Sequence, residues 1–200
     1  PPDPASLRQT TMGGNVANGS PIGDSMPGLI ALGASVILRN RERRRTLPME
    51  DLYVGYMQKA MAADEILEAI EVPLPNPALK FRTYKLSKRF DSDISAVCAA
   101  FAIELDGERI ARCRVAYGGV AATPKRATAT ERALVGAPWT EATARAAIAA
   151  LPSDYTPLTD MRASADYRRQ IAQNLLYRFY LETRPDRPLS AAQVSVFAVA

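Results

Sequence analysis

The 200-residue chain contains no histidine, two cysteines and one tryptophan. Without histidine there is no Ser-His-Asp or Cys-His nucleophile system, and the usual near-neutral general base is missing. Two cysteines, Cys98 and Cys113, are too few for a zinc site or an iron–sulfur cluster, which take three or four Cys or His ligands. Any redox role therefore rests on an organic cofactor, and no metal site is expected. No stretch approaches the roughly 18 to 20 consecutive apolar residues that cross a bilayer, and the opening "PPDPASLRQ" lacks the apolar region of a secretory signal. A cytoplasmic protein with no membrane partner is the expectation.

What is present is ordinary globular material: 48% hydrophobic and 23% charged residues, enough for one or two domains with a real core. The net charge of +4 is concentrated in "RNRERRR", Arg39 to Arg45. That run follows the alternating "ASVIL" and leads into "TLPMEDL", so it reads as the solvated turn of a hairpin. A nucleic-acid surface would add a spread basic face, stacking aromatics or a known motif, and none is seen; no nucleic-acid partner is expected.

Residues 1–10 carry three prolines and no periodicity, which reads as a disordered or truncated lead-in. A short helix from about Pro27 to Gly33, a strand from Ala34 to Arg39, a strand at Arg44 to Leu47 and a helical turn in "PMEDLYVGY" follow. Alternation at Ile66, Ile70 and Val72 predicts a strand over 66–72, ended by Pro73, Pro75 and Pro77, the best domain boundary in the chain. Beyond it come a strand at Arg82 to Ser87 and a strong hairpin signal. There Val97, Ala99, Phe101, Ile103 and Leu105 alternate, Asp106-Gly107 supplies the turn, and Ala111, Cys113, Val115 and Tyr117 alternate again. The cysteines thus fall on adjacent strands, where buried free thiols are expected. The rest reads as helical. One helix is capped by Thr123 before Pro124 and stopped at Gly136, a second is capped by Thr140, and a third opens near Ser164 with Tyr167, Ile171, Leu175 and Phe179 on its apolar stripe. The fold class is α+β: three antiparallel strands followed by three helices.

The chemistry-bearing stretch is "TMGGNVANGSPIGD", Thr11 to Asp24. Residues without Cβ let a backbone approach a ligand and aim amide N–H groups at anionic oxygens, and Thr and Asn add directed hydrogen bonds. Two readings stand, a ligand-holding loop or a tight surface turn, and the spacing departs from the Rossmann fingerprint. "RFDSDIS" is a second polar cluster, in which Arg89, Asp91 and Asp93 form either a salt-bridged corner or part of a site. Leu67 reads equally as core, Lys85 as an exposed strand residue and Tyr56 as a core or surface tyrosine.

Taken in order, "TMGGNVANGSPIGD", "PGLIALGA", "RRRTLPMEDLYVGY", "EILEAIEVPLP", "YKLSKRFDSDISAV", "AYGGVAATPKRA" and "DMRASADYRRQIAQNLL" resemble the molybdenum hydroxylase flavoproteins. The likeness is to the FAD-binding small subunit of xanthine dehydrogenases, in the wider family that includes carbon monoxide dehydrogenase. It spans Thr11 to about Glu182. It implies a partial FAD-binding subdomain of the vanillyl-alcohol-oxidase type over 11–77, a smaller domain with a three-stranded antiparallel sheet packed on a helical bundle over 78–184, and a tail over 185–200.

The resemblance further implies electron passage from purine oxidation at a molybdopterin centre, through 2Fe-2S clusters, to FAD and on to NAD. The molybdopterin and the clusters belong to the rest of the complex: a molybdenum-binding large subunit and an N-terminal iron–sulfur and FAD segment. By resemblance Thr11, Gly13, Gly14, Asn15 and Asp24 contact FAD, Leu67 packs on the flavin, and Lys85 lies close to its ring. Arg89, Asp91, Asp93 and Tyr56 are placed near the flavin and the approach of NAD. No side chain of this chain is expected to be catalytic, since the hydride chemistry belongs to the flavin. The alternative is a docking fragment that supports assembly with the molybdenum subunit and has no useful flavin affinity alone.

Overall fold

The structure, a computed structural model, describes residues 11–89 and 93–194. Two short helices, α1 (Met12–Asn18) and α2 (Ser25–Ala31), precede strands β1 (Ser35–Asn40) and β2 (Arg43–Pro48). A 3-10 turn over Met49–Leu52, a small hairpin of β3 (Tyr53–Gly55) and β4 (Gln58–Lys59), and strand β5 (Ile66–Glu71) complete the first part. β1 is the middle strand, antiparallel to β2 and β5. The arginine-rich turn lies in the β1–β2 hairpin, and three of its arginines are paired: Arg39 and Arg44 both reach Glu68, and Arg45 reaches Glu65.

The second part is a sheet of β6 (Lys80–Ser87), β7 (Ser95–Asp106), β8 (Arg109–Gly118) and the two-residue β9 (Lys125–Arg126), all antiparallel. Helices α3 (Thr128–Leu134), α4 (Glu141–Asp154) and α5 (Ala165–Thr183) cover one face, and α6 (Ala191–Val194) follows. Phe101, Ile103, Val115 and Tyr117 meet Leu134, Trp139, Ala147, Leu176 and Phe179 there. The other face meets α2 and β1 through Ala100, Ala102 and Ala116, packed with Met26, Ile30 and Leu38. Alanines on that face let α2 lie close, and they explain why β7 is buried on both faces from Ser95 to Ile103.

The sheet therefore has three long strands, as expected, plus a short edge strand where the sequence predicted the start of a helix. Lys125 and Arg126 pair with Tyr117 and Ala116, and α3 begins only at Thr128. The Thr123 cap is replaced by Asp154, whose carboxylate accepts from the Ala129 and Thr130 amides and from the Thr130 hydroxyl. Thr140 and Ser164 do cap α4 and α5 as read. The stripe of α5 is rotated from the expected one: Tyr167 is 46% exposed, whereas its neighbour Arg168 is 2% exposed.

Three bulges move residues from their expected phase. Opposite Ile37 and Leu38, β5 carries Glu68 as an extra residue, so Leu67 and Ile70 both pack inward while Ile66 is exposed. In β8 Ala111 is the extra residue and Ile110 takes its place in the core. The hairpin turn is Gly107-Glu108, one position later than expected, with Gly107 at φ 58°. Cys98 packs toward the α2 side and Cys113 toward the helices, and both thiols are free and buried. No helix among the described residues is long and apolar enough to cross a membrane.

Candidate functional site

The glycine-rich stretch is a helix with a tight exit, where the sequence suggested a loop. Thr11 is extended and its hydroxyl accepts the Gly14 amide at 2.9 Å, an N-cap that starts α1. Gly19 ends it in the left-handed region at φ 68°. Two glycines inside one short helix cost roughly 1 kcal/mol each in helix propensity. The protein's own packing does not require the first of them, because a Cβ on Gly13 would meet only Leu67 Cδ2, at an ordinary 3.7 Å. Gly13 and the half-buried Leu67 thus form a bare shelf of backbone and one apolar side chain, suited to a flat ligand.

Past α1 the chain returns through Pro21 and Gly23 to Asp24, which immediately precedes α2. The Ser25 hydroxyl donates to Asn15 Oδ1 and ties the start of α2 to α1. Asp24 is held from three sides. Lys85 Nζ on β6 stands 2.8 Å from Oδ2, the Ser95 hydroxyl on β7 donates to Oδ1, and Cys98 Sγ lies 3.6 Å from the Asp24 carbonyl. Both Lys85 and Asp24 remain about half exposed, so their charges are partly open to solvent. Burial, with the Asp24 charge adding to it, pushes the Cys98 thiol up to about 12. Cys98 is a buried, free thiol packed against the Asp24 backbone.

Ser95 reaches Asp24 because of the third bulge. Leu86 pairs with Val97 and Ser87 with Ser95, so Ala96 is an extra residue in β7. Without it Ser95 would share the helix-facing side with Val97; with it, Ser95 joins Cys98 on the Asp24 side.

Among the described residues, the remaining expected residues make no hydrogen bond or ion pair with this group. Arg89 and Asp93 pair with each other: the Asp93 carboxylate accepts the Arg89 amide at 2.8 Å and its guanidinium at 3.2 Å. The amide first, then the guanidinium, hold the Asp93 carboxyl down to about 2. The ion pair of the salt-bridged reading of "RFDSDIS" is thus present; Asp91 lies outside the described residues. Tyr56 is 66% exposed at the tip of the β3–β4 hairpin. It borders a cleft of about 490 Å³ lined by Pro21, Ile22, Ala121, Leu158 and Arg162. That cleft runs along the same 20–24 loop that carries Asp24.

Sequence reasoning placed Thr11, Gly13, Gly14, Asn15, Asp24, Leu67 and Lys85 together, and the structure joins them through the shelf, the Asn15–Ser25 bond and the Asp24–Lys85 pair. It missed Ser25 and Ser95, whose only local signal was adjacency to Asp24 and to "DSDI". The group fits a flavin dinucleotide: capped helix amides and glycine backbone for phosphates, an apolar shelf for a ring, and a cation for negative charge. Among the described residues no cluster of three or more Cys, Asp or Glu side chains is arranged to hold a metal ion.

Residues 82–183 match the CO dehydrogenase flavoprotein C-terminal domain, and residues 5–75 match the FAD binding domain in molybdopterin dehydrogenase. The carbon monoxide dehydrogenase medium chain of Afipia carboxidovorans is 32% identical over 177 residues, covering 88% of this chain and 61% of that one. A nicotinate hydroxylase of Emericella nidulans is 32% identical over 176 residues, covering 84% of this chain and 13% of the relative. A solved carbon monoxide dehydrogenase from Hydrogenophaga pseudoflava superposes with a TM-score of 0.82 at 29% identity, over 88% of this chain and 61% of that chain. The chain thus spans less than two thirds of the length of these relatives.

Proposed function

The chain belongs to the CO dehydrogenase flavoprotein family, whose cofactor is FAD, and from that premise we propose that it is the flavin-positioning part of a xanthine dehydrogenase. The observation that carries the proposal is that α1, with the Gly13–Leu67 shelf, is tied through the Ser25–Asn15 bond to the start of α2, where the half-exposed Asp24–Lys85 pair stands. Thr11, Gly13, Gly14 and Asn15 hold the phosphates and ribityl chain, with Asp24 as a hydrogen-bond acceptor. Leu67 packs on the ring, and Lys85 stabilises negative charge on its reduced form. FAD, when bound, accepts electrons from iron–sulfur clusters and passes a hydride to NAD, while this chain's residues bind, orient and neutralise charge. Purines, xanthine or hypoxanthine, are the proposed substrates of the whole complex, and a molybdenum-binding subunit and an iron–sulfur segment the proposed partners, in the cytoplasm. NAD reaches the flavin along the cleft that Tyr56 borders, where a single aromatic face and Arg162 suit a nucleotide.

FAD titration followed by flavin fluorescence, on the subunit with its complete FAD-binding region, tests the reading. Asn15→Ala is expected to lower flavin occupancy more than Arg43→Ala, and Gly13→Leu to abolish binding with the fold intact. Equal occupancies in all three would sink the assignment. Reduction of the bound flavin by NADH, slowed several-fold in Tyr56→Ala, tests the acceptor. A subunit that joins the molybdenum partner but takes up no FAD would identify a docking module instead.

A further inference from the structure

Arg168 lies in the first turn of α5, 2% exposed, with its guanidinium inside the protein. A buried arginine is costly to desolvate, and a hydrophobic residue of similar volume would serve helix–sheet packing equally well. What Arg168 does that an apolar residue cannot is bind main-chain carbonyls. Its Nη1 donates to Gly119 O at 2.6 Å and also to Ala96 O. Nη2 pairs with Asp160 at 2.7 Å, and Nε has no partner among the described residues.

Both carbonyls stand one step from the loop that carries Asp24. Ala96 is the extra residue of the β7 bulge, and the residue before it, Ser95, donates to the Asp24 carboxylate. Gly119, at φ 83°, uses its other face on the same loop: its amide donates to Pro21 O at 2.8 Å. Ala96 and Gly119 also touch, since a Cβ on Gly119 would fall 2.4 Å from Ala96 O. The guanidinium thus fixes the ends of β7 and β8, and those ends grip the 20–24 loop at Pro21 and at Asp24. We infer that Arg168 is a positioning residue for the flavin site, holding the Asp24 carboxylate in place from behind through Ser95–Ala96 and Gly119. This rests on the flavin reading above.

Two measurements on the subunit with its complete FAD-binding region test it, using Arg168→Lys, Arg168→Met and, as control, Tyr117→Phe. Tyr117 donates its hydroxyl to Ala172 O on the same helix, 55 residues away in sequence and outside the 20–24 loop, so Tyr117→Phe removes a helix–sheet bond and leaves the backbone contacts of that loop in place. Without FAD, Arg168→Lys is expected to speed amide hydrogen exchange at Ile22, Gly23 and Asp24 about tenfold or more, and Tyr117→Phe to leave it unchanged. Wild-type exchange in a folded Arg168 variant overturns the latch. Should the methionine variant fail to fold, the lysine variant still decides. With FAD, Arg168→Lys and Asp24→Asn are each expected to raise Kd about tenfold, and the double variant no further than Asp24→Asn alone, because the first acts through the second. Losses that multiply overturn the route through Asp24. An unchanged Kd in Asp24→Asn refutes the flavin assignment itself, while the exchange data still judge the latch.

Discussion

Lys85 on β6 and Asp24 ahead of α2 are 61 residues apart in sequence and 2.8 Å apart in space. The pair joins the two halves of the chain at the candidate site. Because both side chains are about half exposed, its contribution to folding is within about 1 kcal/mol. Its contribution to flavin chemistry is expected to be larger: Lys85→Met should lower the potential of the bound flavin by tens of millivolts while shifting the melting temperature little. Spectroelectrochemical titration beside calorimetry separates the two effects, and an unchanged potential would remove Lys85 from the flavin's surroundings.

Gly119 and Gly136 both adopt positive φ, 83° and 81°, but only Gly119 is crowded by backbone. Gly119→Ala is therefore expected to cost roughly 3 kcal/mol or more. Gly136→Ala, with nothing within 4 Å of the added Cβ, is expected to cost about 1 kcal/mol. Urea denaturation of the two variants decides; similar losses would contradict the crowding at Ala96.

The two cysteines should be inert in the folded protein. Burial raises the Cys98 thiol to about 12 and Cys113 further, so at pH 8 the thiolate fraction is roughly a thousandfold below that of a free cysteine for Cys98 and lower still for Cys113. The folded value lies above the unfolded one, so this contribution to stability is full below about pH 8.5 and is lost as pH climbs toward 12. Iodoacetamide labelling with and without urea checks it: rapid native labelling at pH 8 would show that a thiol is reachable and ionised.

Asp93 should titrate near 2, since the Arg89 amide, then its guanidinium, favour the carboxylate. A depressed folded value means that the loop closure it supplies is present above the ordinary carboxylate pKa, about 4, and is lost as pH falls toward 2. The carboxyl carbon shift of Asp93 followed by NMR gives the midpoint directly, and a midpoint near 4 would mean that the corner does not form.

Asp154, at the end of α4, caps α3 through two amides and the Thr130 hydroxyl while only 7% exposed. Asp154→Ala is expected to destabilise the fold by about 2 kcal/mol. Thermal melts of this variant beside Thr123→Ala test the assignment, since the sequence had placed the cap at Thr123; a larger loss for Thr123→Ala would reverse it.

The β7–β8 hairpin, the β1–β2 hairpin and the caps at Thr140 and Ser164 were legible because each depends on residues within a few positions of one another. Period-two alternation and an N-cap are local rules, and the chain obeys them. Of the candidate site, the grouping of Thr11, Gly13, Gly14, Asn15, Asp24, Leu67 and Lys85 came from ordered motifs rather than from periodicity, which carries no information about pairs as distant as Asp24 and Lys85. The Arg89–Asp93 ion pair, one of the readings of "RFDSDIS", forms in the structure.

By itself, then, the sequence determined an α+β chain with no histidine base and with too few Cys and His residues for a zinc or iron–sulfur site of the usual three or four such ligands. Only the tertiary structure decided the phase of its strands and the support of its site. Glu68, Ala96 and Ala111 are bulge residues because of where partner strands run, and no pattern within one strand signals that. The same holds for Arg168 and Asp154: each satisfies main-chain groups 24 to 72 residues away. Such groups become unpaired, and so require a partner, only once the sheet and helices have come together.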